Sequence, residues 1–386
     1  MDLQLTEDQK LLRNSARDFA IGEMTSVARE LEDANQPLDR KYVKQYAQMG
    51  FLGINVAKEL GGLGLGNIEA LVVLEEFAKV SPAVAFPIFE SSVGPVRAIE
   101  HFAGANLVKR IVPSVCSGEK IIAVAMSEPD AGSALTDLKT TAKISNGTIT
   151  LNGQKRWCSG GGHADGYVVY SRMSDAPGSK GIGAVYVEKD AKGLSFGKPE
   201  KLMGFRGIPS ADIFLNNVEL PLENLIVPAT GFKKLMEAFD LERCGNATMC
   251  LGIAQSSYET ALAYVQEREQ FGKSLIDFQA VQLKLAEMAL RIEPARLLIW
   301  RAAQNSFDGL PSILDSSLAK CFANEMVRSV TGDALQVMGA YGYSKDFSVE
   351  QSFRDGWGWG IAGGAIDIQK INIASSLVGK RFNQRS

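Results

Sequence analysis

Apolar residues recur at helical spacing in the first third of the chain. Leu12, Ala16 and Phe19 lie four and three residues apart, as on one face of a helix. Just before them, Thr6 and Gln9 have the Thr-x-x-Gln spacing of a capping box. The glycine-rich segment 61–66 lacks a preceding strand and a following Lys-Ser/Thr, so it is interpreted as a turn and not as a phosphate-binding loop. Residues 1–120 are therefore predicted to form a helical domain.

The last third shows the same periodicity over longer stretches. Apolar positions from 281 to 295 alternate by four and three residues, which predicts one buried stripe on a long helix. Pro294 should kink or crowd that helix. The segment 308–311, Asp-Gly-Leu-Pro, is a clear break, and a second long helix is predicted from about Ile313 to Met338. Residues 230–386 are therefore predicted to form a helical bundle.

The middle of the chain is typical of strands. Asn-Gly pairs at 146–147 and 152–153 are two hairpin signals, and four β-favouring residues separate them. Short β-rich runs follow at 167–170, 182–187 and 212–215. Such short strands, all bounded by turns, predict a compact barrel or sandwich over residues 121–229. The layout is therefore helices, a small β domain, and helices again.

Composition and charge exclude several classes of function. The 386 residues are 46% hydrophobic and 22% charged, as in an ordinary globular protein. A net charge of -3 gives no basic surface for nucleic acid, and no apolar run approaches the ~20 residues that span a bilayer. The five cysteines have no paired spacing, which favours a reducing, cytoplasmic location and argues against a zinc site. With only His101 and His163, a histidine-rich metal site or a Ser-His-Asp hydrolase is not expected.

Two polar motifs lie in the predicted β domain. Residues 126–133 read Met-Ser-Glu-Pro-Asp-Ala-Gly-Ser, a turn with hydroxyl groups at Ser127 and Ser133. Trp157 and Ser159 close the strand that begins at Leu151, and a flat indole beside a hydroxyl donor suits the ring of a cofactor. Taken alone, the first motif could be an ordinary polar turn and the tryptophan an ordinary core residue.

Three further motifs lie in the C-terminal third. Arg268 precedes Phe271-Gly272, with Gln279 seven residues beyond that glycine, and a fork-shaped guanidinium suits a pyrophosphate. Gln336 and Gly339 belong to a Gln-x-x-Gly-Ala-x-Gly-Tyr segment whose small residues allow phosphate to approach the backbone. The third motif, at 239–243, reads Phe-Asp-Leu-Glu-Arg, at the start of a helix entered through Gly231.

These five motifs, in their order along the sequence, resemble the acyl-CoA dehydrogenase family along essentially the whole chain. The resemblance implies an α+β fold with an N-terminal helical domain, a small middle β-barrel domain and a C-terminal four-helix bundle. It implies FAD as cofactor, an acyl-CoA substrate, electron transfer to an electron-transfer flavoprotein, and a homotetramer that binds FAD across subunit contacts. The reaction removes a proton from the carbon next to the thioester and a hydride from the following carbon.

The resemblance also assigns roles to individual residues. Those expected at the cofactor are Ser127, Trp157, Ser159, Arg268, Phe271, Gln279, Gln336, Gly339, Asp367 and Gln369. Those expected at the CoA chain and the entrance of the site are Ser133, Asp240 and Arg243. Ala365 stands where the family has a threonine that contacts FAD.

The usual catalytic base of the family is missing. It is a glutamate shortly after an Arg-Asp pair, and counting from Arg354-Asp355 places Gly363 at its position. Some relatives of isovaleryl- and long-chain type lack it too and carry the base in a helical Glu-Arg pair. That pair is Glu242-Arg243 in this chain, so Glu242 is the expected base, with a pKa raised by burial. It could instead be an exposed helical residue in a salt bridge.

Glu90 is the main competitor. It follows an apolar stretch, 86–89, that borders the acyl pocket of the family, where relatives acting on cyclic acyl-CoAs use an acid to remove more distal hydrogens. Glu90 could do this, bind a polar group at the tail of the substrate, or simply face solvent. A desulfinase-like reaction relies on an arginine where this chain has Phe86. A base-less acyl-CoA-binding paralogue and a nucleic-acid-binding relative are further alternatives, and the net charge argues against the latter.

Two tryptophans, Trp357 and Trp359, lie among glycines beside the expected flavin site. They could reshape the pocket for a branched or ring-like acyl group. The simpler interpretation is that both are core aromatic residues.

Overall fold

A computed structural model describes residues 4–382 and has the predicted order of helices, sheet and helices. The N-terminal helices are α1 Glu7–Ala34, α2 Arg40–Gln48, α3 Asn67–Val80, α4 Pro82–Ser92, α5 Val96–Phe102 and α6 Ala105–Cys116. The capping box is confirmed, because the Thr6 side chain accepts from the Gln9 backbone N–H and the Gln9 side chain accepts in return. The segment 61–66 is a loop, as predicted, between a short 3-10 turn and α3.

The middle domain is one mixed sheet. Its strands are β1 Ile122–Ala125, β2 Thr141–Ser145, β3 Thr148–Ser159, β4 Gly166–Arg172, β5 Ile182–Glu188, β6 Leu194–Phe196, β7 Ser210–Pro221 and β8 Leu225–Val227. The order is β6-β7-β3-β2-β4-β5-β8, and β1 pairs with β4 in parallel. Its two faces pack into separate apolar clusters. One of these clusters includes residues of α6 and of the first turns of the helix that begins at Phe232.

One of the two predicted hairpins is confirmed and the other is wrong. Asn146-Gly147 joins β2 to β3, with Ser145 opposite Thr148. At Gly153 the chain does not turn, and β3 continues with a register shift against β7. A Cβ at Gly153 would lie 2.7 Å from the Thr140 Cα, so this glycine permits close approach of two backbones at a bulge.

The C-terminal domain consists of helices with one small two-stranded ribbon. Its elements are α7 Phe232–Glu267, β9 Glu269–Gln270, β10 Lys273–Ser274, α8 Gln279–Gln304, α9 Ile313–Met338, α10 Ala340–Tyr343, α11 Val349–Trp359 and α12 Ile366–Val378. The bounds of α9 are those predicted, and α8 continues through Pro294. Within residues 4–382, none of the helices combines the length and the apolar character needed to cross a bilayer.

Helix α7 connects the three parts of the molecule. It packs on α3 and α4 of the first domain, on α8, α9 and α11 of the last, and touches β5 and β8 of the sheet. Residues from Phe239 to Ala254 along this helix are almost all buried. A polar side chain on this stretch therefore lies where all three domains meet.

Candidate active site

Two acidic side chains approach each other where α4 crosses α7. A Cβ at Gly245 of α7 would lie 2.9 Å from the Phe89 ring and 2.4 Å from a Val93 methyl carbon, so the helices are in close contact there. Glu90 lies beside Phe89 on α4, and Glu242 lies one turn before Gly245 on α7. Burial, and after it the charge of Glu242, raise the pKa of Glu90, so the two carboxyls are near enough to interact electrostatically.

The Glu242 carboxylate is free. It is half-buried, and within residues 4–382 neither a hydrogen bond nor an ion pair engages it. Burial raises the pKa of Glu242 to about 8, although the positive charges of Arg243 and Lys320 act in the opposite direction. The interpretation as an exposed residue in a salt bridge is therefore wrong, and a proton acceptor with a pKa near neutrality suits a general base.

Gly363 faces the same stretch of α7. A Cβ at Gly363 would lie 3.7 Å from the Phe239 ring and 3.6 Å from the Asn246 amide nitrogen, which are ordinary contacts. Phe239 and Asn246 are one turn on either side of Glu242. A side chain at position 363 would therefore face the part of α7 that carries Glu242.

The backbone around Gly363 is held by a lysine that the sequence analysis missed. Lys320 of α9 is fully buried, and its ammonium donates to Ala362 O at 2.9 Å, Gly364 O at 2.9 Å and Asn324 Oδ1 at 3.0 Å. Burial lowers the pKa of Lys320 to about 7, while these three acceptors match the three N–H groups of the charged form. Asn246 supports the same loop by donating to Trp359 O at 3.1 Å.

A signal for these residues exists in the sequence. Polar residues recur at helical spacing along α9, and this series is Ser316, Ser317, Lys320, Asn324 and Thr331, all of them buried. A polar stripe of this kind inside a long helix predicts that the helix binds a polar loop rather than only apolar neighbours.

Asp240 and Arg243 are both buried and form an ion pair with each other. The Ser316 hydroxyl donates to the same Asp240 oxygen at 2.6 Å, and the Arg243 guanidinium lies 5.3 Å from the Phe239 ring centre. Burial raises the pKa of Asp240, against the effect of Arg243. Their expected contact with the CoA chain stays a prediction.

Trp157 is held in an unusual conformation. Its φ is 61°, its side chain is 51% exposed, and it lies at a register shift between β3 and β7. The Arg156 guanidinium lies 4.4 Å from the ring centre. A large residue in the left-handed region costs free energy, and such strain is concentrated at functional sites. Because half of its side chain is exposed, Trp157 lies at the surface, and its interpretation as an ordinary core residue is wrong.

The turn that carries Ser127 is anchored next to Trp157. The Arg156 N–H donates to Ser127 O at 2.9 Å, and the fully buried Lys155 donates to Met126 O at 3.1 Å and to Glu128 at 2.8 Å. Glu128 also accepts from the backbone N–H groups of Lys139 and Thr140, just before β2. Ser133 lies exposed on this loop, and Ser159 pairs with Ser210 of β7. Ser127 and Trp157 are thus brought together.

The two diphosphate motifs of the C-terminal domain meet at the surface. The Arg268 guanidinium lies 5.8 Å from the ring centre of Tyr341, which is in the segment that begins at Gln336. Gly339 has a φ of 61°, and a Cβ there would find open space. Phe271 is 95% exposed, and Gln279 and Gln336 are exposed too. This cluster therefore lies at the surface of the chain, and its assignment to FAD stays a prediction.

One of the two α12 residues expected at FAD instead binds the loop around Gly363. The Gln369 side chain is fully buried; it donates to Gly364 O at 2.9 Å and accepts from the Ser317 hydroxyl at 3.1 Å. Asp367 is exposed at the first turn of the same helix. Both assignments to FAD stay predictions.

The two tryptophans of α11 have different environments. Trp359 is buried, 4.9 Å from Phe205 and 5.9 Å from Phe89 between ring centres, as expected of a core residue. Trp357 is 40% exposed under the Arg328 guanidinium, so the core interpretation is wrong for it. The fully buried Asp355 accepts from the Phe205 N–H at 2.6 Å and thereby attaches the sheet domain to this helix.

The chain's own residues fit a flavin dinucleotide. An exposed indole beside the turn that carries Ser127 suits the isoalloxazine ring, and an exposed arginine beside a glycine with open space suits the diphosphate. Together with a free carboxylate of raised pKa, these features define a flavin-dependent oxidoreductase.

Comparison with known proteins identifies the family. The acyl-CoA dehydrogenase N-terminal, middle and C-terminal domain models match residues 6–119, 123–218 and 229–378. The chain belongs to the acyl-CoA dehydrogenase family, whose members are FAD-dependent oxidoreductases acting on the CH–CH bond of acyl-CoA.

Individual relatives cover the whole chain. The chain is 34% identical to the 3-sulfinopropanoyl-CoA desulfinase of Paraburkholderia xenovorans, over 99% of each sequence. It is 32% identical to the caffeyl-CoA reductase-Etf complex subunit CarC of Acetobacterium woodii, over 98% of this chain and 100% of that one. The structure of butyryl-CoA dehydrogenase from Megasphaera elsdenii superposes on this chain with a TM-score of 0.94 at 30% sequence identity. The match covers 98% of this chain and 100% of that one. The predicted fold is therefore confirmed.

Proposed function

We propose that Glu242 is the base of an acyl-CoA dehydrogenase whose loop carboxylate is absent. The observation that carries this proposal is the free Glu242 carboxylate, with a pKa of about 8, on the stretch of α7 that Gly363 faces. A carboxylate from the helix can serve the same α-proton as one from the loop, because only its position in space matters.

In this mechanism each polar group of the site has a separate task. Glu242 accepts the proton of the α-carbon, and FAD, when bound, supplies the acceptor for the hydride of the β-carbon. Lys320 keeps the backbone on both sides of Gly363 in place and lies near enough for its charge to act on Glu242. Trp157 and Ser127 would hold the flavin ring, and Arg268 its diphosphate.

The aromatic residues of α4 favour dehydrogenation over a desulfinase-like reaction. By resemblance to desulfinase relatives, Phe86 stands at the position of the arginine on which that reaction relies, and its ring stacks on Phe89 at 5.7 Å between centres. An apolar wall without a cation suits an uncharged acyl group such as a branched or alicyclic one. A cyclic acyl-CoA with Glu90 as base is the second candidate, favoured by the burial of Glu90.

The function is tested by anaerobic mixing of the holoenzyme with straight, branched, dicarboxylic and alicyclic acyl-CoAs. We expect at least one acyl-CoA with an uncharged acyl group to bleach the flavin absorbance within seconds, because the pKa of Glu242 is already near neutrality. Binding of acyl-CoA without bleaching across the whole panel would favour a base-less binding paralogue and contradict the proposal.

We further propose that the electrons pass to an electron-transfer flavoprotein in the cytoplasm. The CarC relative is named as a subunit of a reductase-Etf complex, which supports this partner. The five cysteines are all buried and free, as expected of a protein in a reducing compartment.

We also propose a homotetramer built on the C-terminal helices. Leu283 and Leu290 of α8 and Leu377 of α12 are large apolar side chains of the C-terminal domain that are each more than 60% exposed. Exposed apolar surface of this kind supports an interface between copies of the chain. We expect light scattering to give four times the 41.7 kDa chain mass. Leu290→Glu should reduce that mass, whereas Ile21→Glu, a similarly exposed site on α1, should not. A monomer in the unmodified protein contradicts this assembly.

A further inference from the structure

Glu90 differs from the other buried acidic residues of the described chain. Each of the others has a cation, a backbone N–H or an amide as partner; these are Glu32, Glu75, Glu76, Glu128, Asp212, Asp240 and Asp355. Glu90 is 4% exposed, yet within residues 4–382 it has neither a hydrogen bond nor an ion pair. A buried polar group without a partner costs about 1–3 kcal/mol, so its presence requires an explanation.

Local packing does not explain Glu90. Its neighbours Ser91 and Ser92 are also buried, but their hydroxyls accept from the backbone N–H groups of Gly53 and Ile54. Those two serines stabilise the loop at 53–54. The Glu90 carboxyl instead lies beside Gly94, where a Cβ would come within 3.1 Å of Oε2. Gly94 thus leaves room for a carboxyl that stabilises nothing in the protein itself.

The surroundings keep Glu90 protonated. Burial first, and then the negative charge of Glu242 across the α4–α7 contact, raise the pKa of Glu90 well above its usual range. The positive charges that act on Glu242 are Arg243 and Lys320, and both are already engaged, by Asp240 and by loop carbonyls. A neutral carboxyl has one O–H to donate, and no acceptor in the described chain receives it.

We propose that the protonated Glu90 carboxyl donates a hydrogen bond to a neutral oxygen carried by the acyl group, so that the site takes a hydroxy- or oxo-acyl-CoA. This inference rests on the proposed function, because Glu242 at the α-carbon leaves Glu90 for a carbon beyond the β position. A carboxylate tail is disfavoured, because it would face Glu242 without a free cation.

The binding site for that oxygen has an apolar frame. Phe86 and Phe89, on the same helix as Glu90, stack on each other, and Phe89 also contacts Trp359. A single donor in an apolar pocket discriminates strongly, because an analogue lacking the oxygen leaves the donor unpaired. We therefore expect the enzyme to select its substrate by this one hydrogen bond, and not by the length of the acyl chain alone.

The test compares two acyl-CoAs of equal chain length, one a hydrocarbon and one with a hydroxyl or oxo group at carbon 4 or 5. With the unmodified holoenzyme, kcat/KM should favour the oxygenated substrate by about 10- to 100-fold. Glu90→Gln should keep that preference, because a carboxamide still donates. Glu90→Leu should abolish it, through a loss on the oxygenated substrate and a gain on the hydrocarbon.

Binding gives a second measurement that does not depend on turnover. In Glu242→Gln, calorimetric titration should give a lower Kd for the oxygenated thioester, and the added Glu90→Leu change should remove the difference. Glu90→Leu should also melt no lower than the unmodified protein, since it removes an unpaired polar group. If the Glu90→Leu variant does not fold, the Glu90→Met variant makes the same comparison.

Three results would overturn the inference. One is an equal substrate ratio in the unmodified protein and in Glu90→Leu. Another is a preference for the hydrocarbon in the unmodified protein. The third is loss of all turnover in Glu90→Gln with binding retained, which would identify Glu90 as a base for distal hydrogens. If no acyl-CoA reduces the flavin at all, the proposed function fails instead, while the calorimetric comparison still tests Glu90.

Discussion

Glu242→Gln is expected to slow flavin reduction by the best acyl-CoA about 10³-fold, with FAD and substrate binding retained. Glutamine has nearly the shape of glutamate but cannot accept the α-proton. Glu242 has no polar partner within residues 4–382, so the change breaks no contact that holds α7 in place. Anaerobic stopped-flow absorbance measures the rate constant.

A neighbouring glutamate on the same helix provides the control. Glu237 is partly exposed and pairs with Lys233 one turn away, outside the buried stretch of α7. Glu237→Gln should change the rate constant less than about twofold, as is usual for surface pairs. A rate constant for Glu242→Gln close to that of the unmodified protein would remove Glu242 from the mechanism.

The pH dependence of flavin reduction in the unmodified protein follows from the raised pKa of Glu242. The base form is populated above about pH 8, so flavin reduction should rise with pH up to that value and then level off. The rise should disappear from the residual rate of Glu242→Gln. A profile without an inflection between pH 7 and 9 would mean that another group is the base.

Stability should change in the opposite direction to activity. The folded pKa of Glu242, about 8, lies above the ordinary value of 4.5, so its contribution is fully present below pH 4.5 and is lost as pH rises through 8. Glu242→Gln stays neutral, and it should gain on the order of 4 kcal/mol relative to the unmodified protein between pH 5 and 9. Thermal unfolding at those two pH values measures this gain.

The elements that were predicted correctly are those with local signals. The capping box at Thr6, the turn at 146–147 and the helix Ile313–Met338 each depend on residues within one short stretch. Gly153 shows the opposite case. Its role depends on Thr140, thirteen residues earlier, and the Asn-Gly pair looks the same in either situation.

The site was predictable in its members but not in their state. The motif Phe-Asp-Leu-Glu-Arg at 239–243 indicated Glu242, whereas its lack of any polar partner depends on α4, α9 and the loop after α11. The role of Lys320 depends on carbonyls more than forty residues away in the chain. A carbonyl group carries no side-chain signal, so the sequence around Lys320 could indicate a buried polar stripe but not what it binds.

Gly363→Glu in the Glu242→Gln background is expected to restore flavin reduction at least tenfold over Glu242→Gln alone. A Cβ at position 363 would make ordinary contacts of 3.6 to 3.7 Å with Lys320, Asn246 and Phe239. The new carboxylate would project from the loop toward the α7 stretch that carries position 242. Lys320 would supply a positive charge beside it, which favours the ionised form.

The restoration should be incomplete, and its control is Gly363→Gln in the same background. Gly363 has a φ of 65°, and a side chain in that region costs about 1–2 kcal/mol, so the loop will not be as well ordered. Gly363→Gln has the same strain and size but no base. Equal rates for the two double variants would show that position 363 does not face the α-proton.

The single variant Gly363→Glu tests whether the two positions share one space. With Glu242 intact, a second carboxylate in the same pocket should raise the pKa of the pair, because like charges close together disfavour full ionisation. The inflection of the pH profile should therefore move above 8, where the unmodified protein has it. An unchanged inflection would place the loop carboxylate too far from Glu242 to replace it, even if the double variant were active.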